Sequence, residues 1–262
     1  MKVVSYNIPY VYGETITLKP IFDVHLGSAY CDEKSFKEYL ADSNKNTYFM
    51  SGGDLLDSII VTDPRYSKHV DGTERTAILD EQVDKAVEIL RPYRKNIIGL
   101  GRGNHEDTVV KHSGTDVTWR ICEQLDCEYL GYSGFVILKL REKDGRGRTV
   151  TIKWHHGWGG GSRTQGADIT KYSKDTAYWD ADLFLYGHVH KKQYDEIPRL
   201  GISGKSLISK PIHFAICGTF LKTYSSTYDS TYSEVKGYPP VAIGGLTIHI
   251  KPNNKWVDIW IQ

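Results

Sequence analysis

Three short apolar runs constrain what this chain can fold into. "TITLKPIFDVH" (15–25), "NTYFMSGGD" (46–54) and "NIIGLGRGNHE" (96–106) each read as a strand that runs into polar residues or glycine. Helical patterns alternate with them. "DEKSFKEYLADS" (32–43) offers Asp32 as an N-cap and places Phe36, Tyr39 and Leu40 on one face. "TERTAILDEQVDKAVEILRPYRK" (73–95) has Ile78, Val83, Val87 and Leu90 near helical spacing and ends around Pro92, and "TDVTWRICEQLD" (115–126) supplies a further helix. Such alternation predicts an α/β sheet whose strand-end loops carry function.

The second half reads differently. "FVILKLRE" and "TVTIKWHHG" flank "KDGRGR", a hairpin with Asp-Gly turn chemistry. "DLFLYGHVH" (182–190), "HFAICGTF" (213–220), "LTIHI" (246–250) and "WVDIWI" (256–261) are strand-like, and the late ones are expected to complete a second sheet packed on the first. No linker-like break or internal repeat interrupts the chain, and the one low-complexity tract is "TYSSTYDSTYS" (223–233). The reading is a single domain over 1–262.

Composition narrows the function classes. With 262 residues the chain can bury a substantial core, and its formal net charge of +1 argues against a polyanion binder that works by bulk charge. Cys31, Cys122, Cys127 and Cys217 show no CxxC spacing and are too few for a disulfide scaffold, so they read as reduced, packed thiols. The N-terminal apolar run is broken by Asn7 and Pro9 and is not a signal peptide. No stretch approaches the ~18 apolar residues of a membrane span. The expectation is a soluble, cytoplasmic protein with no membrane partner.

Five strand ends carry the same kind of chemistry: Asp23-x-His25, Gly53-Asp54-x-x-Asp57, Gly103-Asn104-His105-Glu106, His155-His156-Gly157 and Gly187-His188-x-His190. Each block alone is weak; five in succession are hard to explain as packing. Carboxylates, an amide oxygen and imidazoles without thiolates form a borderline-to-hard donor set, suited to manganese, iron, zinc or nickel. One metal needs three or four of these groups. The surplus points to two divalent ions, which together clamp a phosphoryl group and activate a water.

The order D-x-H, G-D-x-x-D, G-N-H-E, H-G, G-H-x-H resembles the calcineurin-like metallophosphoesterase superfamily, over roughly 20 to 190. The resemblance implies a four-layer α/β/β/α sandwich of two mixed β-sheets flanked by helices. It implies that Asp23, His25 and His190 hold one metal, that Asp54 bridges, and that Asn104, His188 and a histidine of the HHG block hold the other. The family places that ligand just before glycine, which selects His156; His155 would then face the opposite side of its strand. His105 would be an acid that touches substrate, oriented by Asp57, with a hydroxide bridging the metals as nucleophile and manganese as the first choice of metal.

Substrate class is less constrained. Protein Ser/Thr phosphatases of the family place arginine after the second aspartate of the second block, where this chain has Ser58, and "GGDLLDS" lacks the tyrosine of purple acid phosphatases. "HHGWGGGSRTQGAD" and "ADLFLYGHVHKK" resemble phosphoesterases encoded by bacteriophages and prophages. The reading is a phosphodiesterase on nucleotide or nucleic-acid substrates. The alternatives are a broad phosphomonoesterase, a DNA exonuclease of the recombination type, and a metal-binding scaffold without catalysis. Arg163 in "GWGGGSRTQG" (157–166) is a candidate phosphate contact, set against a plain flexible connector. "KHVDGTERT" (68–76) and Lys191-Lys192 are candidate positive charge at the mouth, with solvated surface as the simpler reading. The tyrosines of 223–240 are expected on a loop over the site or at a subunit contact, against an ordinary solvated loop. The oligomeric state stays open.

Overall fold

In the computed structural model, which describes residues 1–60, 63, 78–143, 145–226, 230–253 and 256–262, the alternation of the first half is present with additions. Strands β1 (Lys2–Pro9) and β2 (Ile16–Ile21) lead into helix α1 (Glu33–Ala41), β3 (Thr47–Gly52), α2 (Ile78–Leu90) and β4 (Ile97–Gly101). Helices α3 (Asn104–Ser113) and α4 (Val117–Leu125) and strand β5 (Glu128–Gly131) follow. The hairpin β6 (Ser133–Arg141) and β7 (Gly147–His155) precedes α5 (Ala167–Ser173), β8 (Leu183–Tyr186) and β9 (Lys192–Ile197). Strands β10 (Leu200–Ser203), β11 (Ser206–Ser209) and β12 (Ile212–Cys217), helix α6 (Tyr232–Lys236), and strands β13 (Ile248–Pro252) and β14 (Val257–Ile261) complete the path.

Two six-stranded mixed sheets result, ordered β14-β13-β2-β3-β4-β5 and β1-β6-β7-β8-β12-β9, with β10-β11 as a separate pair. Period-two burial shows how they stack. Val136, Leu138 and Leu140 of β6 and Val150, Ile152 and Trp154 of β7 join Leu18, Met50, Ile98 and Ile248 in one buried cluster between the sheets. On the outer face of the first sheet, Phe49, Ile97 and Leu100 pack under Phe36 and Leu40 of α1, Val83 and Val87 of α2, and Ile121 and Leu125 of α4. On the outer face of the second, Phe184 and Phe214 pack under Tyr172 of α5. Helix, sheet, sheet and helix are the four expected layers. No helix among the described residues is long and apolar enough to cross a membrane. All four cysteines are free, Cys122 and Cys217 buried.

One expectation is corrected. The last two strands join the first sheet, where β13 pairs antiparallel with β2 through Ile248↔Leu18 and Ile250↔Ile16. The second sheet is closed instead by the N-terminus, with β1 parallel to β6. Periodicity reports which face of a strand is buried and is blind to which neighbour it finds. Pro9 is tolerated because it ends an edge strand.

Local chemistry sets the helix ends. The Asp32 carboxylate accepts from Ser35 N and starts α1. At its C-terminus Lys19, buried in β2, donates to the carbonyls of Tyr39 and Asp42 and pairs with the Asp42 carboxylate at 2.8 Å, a cation where the helix dipole favours one. Helix α2 passes at Pro92 into a 3₁₀ turn, Arg91–Asn96. Its expected start at 73–77, and the basic segment 68–76, lie outside the described residues.

Lys153 is a buried cation in this outer layer. Its ammonium donates to the Trp154 carbonyl and sits over the Phe135 and Trp179 rings, and burial lowers its pKa to about 8. A lysine with a folded pKa below its unfolded value weakens the fold fully below the folded pKa, and the penalty fades as pH rises toward the unfolded one. Lys153→Met is therefore expected to stabilise the protein at pH 7 by ~1–3 kcal/mol, the ring and carbonyl contacts offsetting part of the penalty. Thermal unfolding of both proteins from pH 7 to 10 measures this; a stabilisation that does not shrink with pH would assign it to packing.

Candidate metal centre

Strands β2, β3 and β4 run parallel in one sheet, and β7 and β8 run parallel in the other. The residues that follow their C-terminal ends converge. The chain must bend sharply there, and the backbone records it. Among the described residues seven non-glycines have positive φ, and five are Asp23 (49°), His25 (55°), Asp54 (50°), His188 (72°) and His190 (59°). Left-handed backbone costs roughly 1–2 kcal/mol per residue and persists only where the surroundings impose it, as functional sites do. The glycines let the loops cross. A Cβ on Gly103 would lie 2.1 Å from Asp54 Oδ1, and one on Gly53 would lie 2.3 Å from Gly103 N.

Two donor groups form. In one, His25 Nε2 lies 3.3 Å from His190 Nε2, and Asp23 Oδ1 lies 3.8 Å from His190 Nε2. In the other, Asn104 Oδ1 lies 2.9 Å from His156 Nε2 and 2.8 Å from His188 Nδ1. Asp54 stands between them, its Oδ2 3.3 Å from His156 Nε2 and 3.9 Å from His25 Nε2. Two donors on one ion at its usual bond lengths are roughly 3.0–3.4 Å apart, the separation found for His25–His190 and Asp54–His156; the Asn104 contacts are somewhat shorter and the Asp23–His190 and Asp54–His25 ones somewhat longer.

The electrostatics fit the same occupant. Burial, followed by neighbouring imidazoles, lowers His25 and His190, and burial takes His188 down to about 4, so all three are neutral as ligands must be. Burial pushes Asp23 well above the usual carboxylate range, with Asp54 and Glu106 adding to it. Burial acts on Asp54 in the same direction, but the imidazoles of His156, His105 and His25 outweigh it and hold its carboxyl well below that range. His156 is lowered by burial and raised more by Asp54, Asp23 and Glu106, reaching about 9, so without a metal it carries a proton on Nε2 that an incoming cation would displace. Asp23 Oδ1 is buried without a hydrogen-bond partner. An orphaned carboxylate oxygen among convergent imidazole lone pairs fits divalent cations. The orientation of His156 agrees, because its Nδ1 faces the Gly52 carbonyl at 3.1 Å and must donate to it, leaving Nε2 for the centre.

The remaining candidates have distinct places. His105 Nδ1 lies 2.5 Å from the Asp57 carbonyl and 3.8 Å from its carboxylate, so the backbone of Asp57 is its nearer partner. The Asp57 carboxylate sits closer to His25, 3.3 Å from Nδ1. His155 turns away, its Nδ1 accepting from Gly157 N and its ring stacked on Tyr186. Arg163 is exposed outside the cluster and donates to the Lys236 carbonyl. Lys191 is buried, with its ammonium on the Asp168 carboxylate and the Ser162 carbonyl, and so anchors the 157–166 loop. In the tyrosine segment, Tyr224 and Tyr232 are exposed and Tyr224 donates to the Tyr238 carbonyl; Tyr228 lies outside the described residues. Sequence reasoning missed α3 and the part played by Glu106. A glutamate three residues after Gly103 is a helix N3 signal that would have found both.

No family model matches the chain, and no curated protein matches it. Solved structures do. A metallophosphoesterase from Sphaerobacter thermophilus is 13% identical over 94% of this chain and 88% of its own, with a TM-score of 0.40. The calcineurin-like phosphoesterase YfkN from Bacillus subtilis is 11% identical over 95% and 90%, with a TM-score of 0.36. Vacuolar protein sorting 29 from Cryptosporidium parvum is 14% identical over 95% and 97%, with a TM-score of 0.37. The functional reading therefore rests on the centre itself. In motif order and in its four layers, the chain is similar to the calcineurin-like metallophosphoesterases.

Proposed function

We propose that this chain is a dinuclear metal-dependent phosphoesterase that hydrolyses phosphodiesters of the nucleotide or nucleic-acid kind. The observation that carries the reading is Asp54 Oδ2, facing His25 on one side and His156 on the other, with a donor group behind each. Asp23, His25 and His190 would hold one cation and Asn104, His156 and His188 the other, with Asp54 shared. Divalent ions held there, manganese foremost, would supply Lewis-acid polarisation of the phosphoryl oxygens and a water of lowered pKa.

The other steps belong to the chain's residues. The Asp57 carbonyl fixes the His105 ring by taking its Nδ1 proton in a hydrogen bond, so Nε2 is the nitrogen that can give a proton to the leaving oxygen. The Asp57 carboxylate orients His25. The diester preference is favoured by exposed Trp158 and Arg163 on the loop that follows His156, aromatic and cationic groups suited to a base and a second phosphate substituent; Arg163 also ties that loop to the tyrosine segment at the Lys236 carbonyl.

With Mn²⁺, activity on bis(p-nitrophenyl) phosphate is expected to exceed that on p-nitrophenyl phosphate. A strong monoester preference would move the assignment to a phosphomonoesterase. Degradation of DNA ends in preference to small diesters would move it to an exonuclease, and inactivity with metal bound would leave a scaffold.

A further inference from the structure

Glu106 lies two residues from Asn104, yet it faces the fold rather than the centre. It is fully buried, and its carboxylate accepts three backbone N–H groups: Gly103 N at 2.8 Å and Asp54 N at 3.0 Å on Oε2, and Leu56 N at 2.9 Å on Oε1. Only the first of these is a local helix cap. The other two reach about fifty residues back, to the loop after β3. Asp54 returns the connection, because its Oδ1 accepts from His105 N at 3.0 Å. The loop carrying Asp54 and the helix start carrying Asn104 and His105 are thus tied in both directions.

We propose that Glu106 is a positioning residue, whose carboxylate sets the spacing between Asp54 and the Asn104–His105 pair. The inference rests on the phosphoesterase reading above. Three converging N–H donors need an acceptor with two oxygens. Glutamine offers one and turns an NH₂ toward a donor, and aspartate keeps both oxygens one methylene short. Asp54 also holds left-handed backbone, at a φ of 50°, and its amide is one of the groups Glu106 fixes. A spacing set in this way decides whether Asp54 Oδ2 meets both donor groups or only one.

The test uses the full chain as wild type, Glu106→Gln and Glu106→Asp, with Asp32→Ala as a control that removes a helix cap at α1. Calorimetric titration of the metal-free proteins with Mn²⁺ is expected to show Glu106→Gln weakened roughly 10–100-fold, the range for outer-shell partners, and Glu106→Asp recovering part of the loss. At saturating Mn²⁺, Glu106→Gln should lower kcat for bis(p-nitrophenyl) phosphate with KM nearly unchanged. Amide hydrogen exchange at Asp54 and Leu56 in the metal-free protein should speed up in Glu106→Gln and stay unchanged in Asp32→Ala. If Glu106→Gln binds Mn²⁺ like wild type, or loses affinity only as much as Asp32→Ala at an equal drop in melting temperature, the carboxylate is a helix cap and the inference falls. A wild-type chain that takes up no divalent metal would overturn the phosphoesterase reading and the positioning role with it, while the exchange measurement still reports whether the two loops are tied.

Discussion

If the centre holds the proposed two ions, Asp54→Ala is expected to bring metal content to one or fewer per chain and to lower the rate on bis(p-nitrophenyl) phosphate by about 10³-fold or more, a metal's electrostatic contribution being several kcal/mol. The expectation follows from position. Asp54 Oδ2 lies 3.3 Å from His156 Nε2 and 3.9 Å from His25 Nε2, so it stands between the two donor groups. It is buried, and the imidazoles around it outweigh burial and hold its carboxyl well below the usual carboxylate range, which favours the ionised form that a cation needs. Asp54→Asn separates charge from shape, since an amide oxygen can still accept from His105 N. That variant should fold as well as wild type and still lose metal. Elemental analysis of protein purified without chelator, repeated under metal excess, gives the stoichiometry. A wild-type chain that stays at one ion would remove the bridging role of Asp54, and an alanine variant that keeps two would remove its role as a ligand.

The candidate centre was legible because its donor blocks sit where strands stop, and strand ends are marked by an apolar run meeting polar residues or glycine. Asp23, Asp54, Asn104 and His188 all follow such runs, so composition and position signalled together. The family's placement of the ligand just before glycine selected His156, alternation then put His155 on the other face, and the structure turns the two to opposite sides. What stayed hidden was contact through the backbone. The Asp57 carbonyl that takes the His105 Nδ1 proton, and the amides that bind Glu106, are groups every residue has, so no residue type announces them. Sheet membership was hidden for a related reason. "LTIHI" shows a strand with Ile248 and Ile250 on one face, and nothing in it says that its neighbour is β2 rather than β12. The polar strand β9 went unread because an exposed edge needs no apolar face.

His105→Ala is expected to keep both metals and lose roughly 10²–10⁴-fold in rate on diesters with poor leaving groups, the usual contribution of a general acid. The loss should be smaller for p-nitrophenolate, which leaves without a proton. Geometry separates this histidine from the ligands beside it. Its ring meets His25 edge-on, with centroids 4.5 Å apart, and its Nδ1 is held on the Asp57 carbonyl. The Asp57 carbonyl can only accept, so Nδ1 carries the hydrogen and Nε2 is left for substrate. His25, Asp57 and His105 nevertheless lie close enough together to hold an ion, which gives His105 a competing role as a ligand. Metal content decides between the two, because a ligand's loss empties a site and an acid's loss does not. The leaving-group series then decides the chemistry. A rate loss that grows with leaving-group pKa places the proton on His105 Nε2, whereas equal losses across the series would mean that the ring positions the phosphate and a solvent proton completes the reaction.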